Sequence, residues 1–110
     1  MKNYFVKSKD RDGTCYHELY KGKWKYCDYW HKDSICIDDD DMSERLVEII
    51  RKYVPDYDYF GETEITFLQW QQIKHDALEV SDEAAEIVKQ AEPWVEENFK
   101  EHKVFTLLGV

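Results

Sequence analysis

Val104-Phe105-Thr106-Leu107-Leu108-Gly109-Val110 ends the chain in an almost wholly apolar run. The run is too short for a stable helix and reads as a buried strand. It follows a long helical stretch, so it must return to a sheet begun elsewhere in the chain. That sheet is expected in the first third, where aromatic, β-branched and polar residues alternate between turn residues.

Asn3 to Ser8 reads as a first strand, followed by a turn at Asp10-Arg11-Asp12-Gly13. Thr14 to Tyr20 and Trp24 to Trp30 read as a hairpin around Lys21-Gly22-Lys23, with Gly22 supplying the left-handed residue of a bulged loop. In that register Tyr16, Tyr20, Trp24, Tyr26 and Trp30 share one face, the expected core side. Ser34 to Ile37 is either a short fourth strand or an irregular connection.

Beyond Ile37 the apolar period becomes helical. Asp41 and Glu44 match a capping box, and Leu46, Ile49, Ile50 and Tyr53 share a face until Pro55, which predicts a first helix over Met42 to Val54. Pro55 to Thr63 reads as an acidic, aromatic loop. Thr66 and Gln69 form a second capping box, with Ile65 and Trp70 spaced as a hydrophobic staple, opening a helix that runs to about Glu79. Ser81 caps a third helix whose stripe Ala84, Val88, Ala91, Val95 and Phe99 passes through Pro93, so a kinked helix or two abutting helices are expected. Strands grouped apart from helices indicate an α+β fold: three or four N-terminal antiparallel strands, three helices on one face, and the C-terminal strand returning to the sheet. Residues 1–110 make one such domain, a length at which folding buries roughly two-thirds of the unfolded chain's surface.

The net charge is -9, and it is unevenly placed. Residues 1–37 carry eight Lys or Arg against five Asp or Glu, whereas residues 38–110 carry seven against nineteen. The second stretch disfavours nucleic acid and anionic lipid and speeds encounter with a basic protein. No apolar run is long enough to cross a bilayer, and the first residues lack the apolar core of a signal peptide. The three cysteines, Cys15, Cys27 and Cys36, are odd in number and not densely spaced, so free thiols and a cytoplasmic location are expected.

Cys15, His17, Cys27 and His31 are residue types that zinc selects, and the hairpin would set them on one face, but CxH and CxxxH are not zinc-finger spacings. No metal site and no cofactor are expected. Asp56 to Glu62 starts like a calcium loop, yet Phe67 stands where the bidentate Glu belongs. No GxSxG, HExxH or phosphate-cradling glycine loop is present, so catalytic residues are not assigned and an enzyme is not expected. Asp38, Asp39, Asp40 and Asp41 place more acid before the first helix than capping requires. With Asp56, Tyr57, Asp58, Tyr59 and Glu62, whose Tyr-beside-Asp composition suits a protein contact, they form the expected partner-binding set.

The small size, the acidity, the Trp-rich hairpin, the acidic helices and the closing run Val104 to Val110 together resemble the immunity proteins of bacterial toxin systems, including those of contact-dependent inhibition. The likeness is one of organisation along the whole chain. It implies a cytoplasmic protein that binds a cognate basic toxin domain, nuclease-like in kind, and blocks it. No functional residue carries over. Two other readings share the composition: a phage-type mimic of nucleic acid, though Lys74, Lys89, Lys100 and Lys103 interrupt its acidic surface, and a non-catalytic homodimeric module.

Overall fold

The computed structural model of the protein describes residues 2–110. Its sheet has five strands: β1 (Phe5–Lys7), β2 (Tyr16–Lys21), β3 (Ile35–Asp38), β4 (Glu62–Thr66) and β5 (Val104–Leu108). Their order is β1-β3-β2-β5-β4 and every neighbouring pair is antiparallel. The closing run thus lies inside the sheet, with Leu107 opposite Leu19 of β2 on one side and Thr63 of β4 on the other.

Helices α1 (Asp39–Arg45), α2 (Val47–Tyr53), α3 (Phe67–Val80) and α4 (Asp82–Glu101) supply the other half of the core. From the sheet come Leu19, Ile37, Ile65, Phe105 and Leu107, and from the helices Trp70, Ile73, Ile87, Val88 and Val95. Phe105 is the hub. Trp70, Trp94 and Phe99 meet its ring edge to face, with centroids 6.0, 5.7 and 6.0 Å away, an arrangement that contributes about 0.5–1.5 kcal/mol per pair beyond burial. An apolar cavity of about 30 Å³ remains between sheet and helices.

Local chemistry explains where the elements begin. Thr66 and Gln69 form the expected reciprocal capping box at α3, and the Ser81 side chain accepts from Ala84 N–H at the start of α4. Pro93 lies within α4, which is one continuous helix, and Ala91, Trp94 and Val95 around it are buried in the core. The first helix departs from expectation in two ways. Its cap is Asp38, whose carboxylate accepts from Asp40 N–H, so helical structure begins at Asp39, directly after β3. It also divides at Leu46, where φ falls to -119°.

The larger correction concerns the expected hairpin. Residues 22–34 form no strand, and β2 pairs instead with β3 and β5. Cys27 and Trp30 have φ of 65° and 57°, which an extended strand cannot contain. The face assignment inverts as a result: His17 and Leu19 point to the helices, while Glu18 and Tyr20 lie on the opposite face. Glu62–Thr66, read within and beside a loop, is instead an edge strand with Thr63 and Ile65 inward.

Candidate protein-docking groove

Segment 22–34 lies over the sheet face that the helices leave open, and buried side chains tie it down. Glu18, 1% exposed, accepts from Trp30 N–H at 2.8 Å and from His31 N–H at 3.0 Å. Asn98 accepts from Gly22 N–H at 2.9 Å; the Thr106 hydroxyl donates to Gly22 O and accepts from Trp24 N–H. Tyr20 donates to Asp28 at 2.6 Å, Ser8 to His31 O at 2.7 Å, and the Trp94 indole to Asp33 O at 2.8 Å. A segment without regular structure is thereby held by partners from β2, β5 and α4.

This anchoring turns aromatic side chains outward. The Trp24 ring stands 5.1 Å from Tyr29 and 6.3 Å from Tyr26, and Tyr26 and Tyr29 are 88% and 58% exposed. Across a groove floored by Leu108 and Gly109 stands Phe60, 74% exposed, with its ring edge-on to Tyr59 at 4.8 Å. Gly109 is required here, because a Cβ would fall 1.9 Å from Tyr59 O, and its N–H donates to Gly61 O at 2.7 Å. Asp58 and Glu62, both exposed, stand at the rim.

The groove gathers only part of the expected partner-binding set. Asp58 and Glu62 belong to it, and Asp56 is exposed on the same loop. Tyr57 and Tyr59 are half-buried against the core, and Phe60 is the aromatic residue this loop displays. The Asp38–Asp41 run is largely engaged within the molecule. Asp38 caps α1, Asp39 accepts from His17 and from Tyr59, and Asp41 pairs with Lys2 at 2.8 Å. Asp40 is the exposed member.

His17, Asp39 and Tyr59 form a structural network. The imidazole is fully buried and donates from Nε2 to Asp39 Oδ1 at 2.8 Å. Burial holds the His17 pKa below its ordinary value against the opposing pull of Asp39. The ring is therefore neutral, with its proton on Nε2, and the orphaned Nδ1 is a bare acceptor, less costly to bury than an unpaired N–H. Hydrogen bonds from Tyr59 and then His17 hold the Asp39 carboxyl below the usual range, and the same bond pushes Tyr59 up to about 12.

Comparison with protein-family models, curated proteins and solved structures found no match. The site must therefore be read from its own chemistry. Cys15 and Cys27 are exposed and Cys36 is buried, all as free thiols. His17 faces the helices while His31 packs edge-on to Tyr20 across the sheet, so Cys15, His17, Cys27 and His31 do not converge. Among the described residues no group of three or more His, Cys, Asp or Glu could hold a metal ion, and no helix is long and apolar enough to cross a membrane. Sequence reasoning missed Trp24 and Tyr26 as groove residues because their alternation with Trp30 mimics a core-facing strand, and it gave Tyr29 no role. Glycine beside Tyr59, at Gly61 and Gly109, was the available clue to a close approach of two loops.

Proposed function

We propose that this protein is a non-catalytic binding protein that neutralises a basic protein partner, and that the partner is a toxin domain for which this chain is the immunity protein. The observation that carries this reading is the aromatic groove: Trp24, Tyr26, Tyr29 and Phe60 rimmed by Asp58 and Glu62, on a chain of net charge -9. Tyr and Trp carry a disproportionate share of interface energy, and carboxylates beside them steer and orient a cationic surface. The organisational resemblance to immunity proteins supports a toxin as the partner. Because Asp38, Asp39 and Asp41 serve the fold, the electrostatic part of docking falls to Asp58 and Glu62, with Asp40 and Asp56 adding to the field.

The test is affinity capture at low ionic strength, followed by assay of the captured protein's activity. The protein should retain a basic partner and suppress its activity, and Tyr29→Ala with Phe60→Ala should weaken the complex by about 30-fold or more, as expected when hot-spot aromatics are truncated. Glu62→Lys should slow association at low salt and little at high salt. Retention that survives the double substitution, or a retained partner whose activity is unaffected, overturns the reading.

A further inference from the structure

Trp30 lines the aromatic groove and a second one beside it. The other residues lining this second groove are Lys7, Ser8, Lys9, Arg11 and Lys32. Four cations therefore converge on a protein that is acidic overall. Among the described residues none of the four has a carboxylate partner within 4.0 Å. Asp10, Asp12 and Asp33 adjoin them in sequence, but none lines the groove.

The site is built rather than incidental. The Arg11 guanidinium lies 3.6 Å over the Trp30 ring, Nε donates to Ser8 O at 3.0 Å and Nη1 to Gly13 O at 2.6 Å. Its planar fork is therefore held in place without a counter-charge, and Nη2 makes no hydrogen bond among the described residues. Trp30 is fixed in turn, since its left-handed backbone is clamped by Glu18 and the neighbouring His31 carbonyl accepts from Ser8.

We propose that this groove binds a small solute bearing two or more phosphate groups. An oriented guanidinium offers paired donors to phosphate oxygens, and three lysines add point charges exceeding what a single carboxylate would neutralise. A long polyanion would also meet the acid of residues 38–110, whereas a small solute feels mainly the four cations, because charges separated by more than about 8 Å are screened at physiological salt. None of the four cations lines the aromatic groove, so binding of the solute is tested on the isolated protein.

Inorganic pyrophosphate and a nucleoside diphosphate are titrated against the protein at matched ionic strength, followed by calorimetry and tryptophan fluorescence. Saturable binding of pyrophosphate is expected, with affinity about tenfold lower in Arg11→Gln, as loss of one charged donor implies. Lys9→Gln/Lys32→Gln should weaken it similarly, and it guards against misfolding because neither lysine makes an internal hydrogen bond. Tighter binding of the nucleoside diphosphate would add base stacking to the same site. Absence of saturation, affinities unchanged in both variants, or binding of a single-stranded oligonucleotide without binding of pyrophosphate overturns the proposal.

Discussion

Glu18→Gln is the substitution that most directly tests how this molecule is held together. The two Glu18 oxygens each accept one backbone N–H, from Trp30 and His31, at 2.8 and 3.0 Å, and the side chain is sealed from water. Glutamine has the same shape but turns one acceptor into an NH₂ group, so one amide faces a donor. A hydrogen bond to a charged group contributes about 1.5–3 kcal/mol, so the exchange should cost about 2 kcal/mol. For a domain of this size that corresponds to a melting temperature lower by about 10 °C. The loss should be local first: amide exchange at Trp30 and His31 should accelerate well before that of Leu19 or Leu107 in the sheet, and tryptophan emission should shift as Trp24 and Trp30 gain solvent. Thermal unfolding and site-resolved hydrogen exchange measure both quantities. A melting temperature within about 2 °C of the unmodified protein, with exchange at Trp30 and His31 unchanged, would refute the clamp.

Acid should weaken the fold in two stages. The unfolded imidazole titrates near 6.5 while burial holds folded His17 lower, so the unfolded state takes up the proton first and stability falls as pH drops below 6.5. That slope can approach about 1.4 kcal/mol per pH unit and should be largely absent in His17→Gln, as urea midpoints at about pH 7 and about pH 5.5 will show. The Asp39 carboxyl, also held low, adds its loss further down, as pH falls through the carboxylate range below 3.8; its contribution is full above that range and should vanish in Asp39→Asn. At Cys27, an exposed residue with φ of 65°, Cys27→Gly should raise stability by about 0.5–1 kcal/mol by relieving left-handed strain, and a lower denaturation midpoint would show that the strain is not there.

The caps at Thr66 and Ser81 follow from the sequence because each depends on neighbours within a few residues, and the α+β class and the returning strand Val104–Leu108 follow from the grouping of apolar periods along the chain. A capping box closes on itself over one turn, and an apolar run declares its burial wherever it lands. The candidate site was less legible. Asp58 and Glu62 stood out by composition, but Trp24 and Tyr26 were hidden in the alternation of an expected strand, and composition alone did not say which aromatic of the Pro55–Thr63 loop would be displayed. What separates a strand from an anchored loop at residues 22–34 is the competition for backbone donors. In this molecule Thr106 and Glu18 take the Trp24 and Trp30 amides at the two ends of the expected strand, and Asn98 holds the Gly22 amide of the expected turn. Those side chains lie as far as 84 residues away in the chain. Local sequence determined the helix caps and the burial of the closing run, whereas long-range hydrogen bonds and strand pairing decided that residues 22–34 form no strand, which face of β2 meets the helices and which aromatics reach solvent.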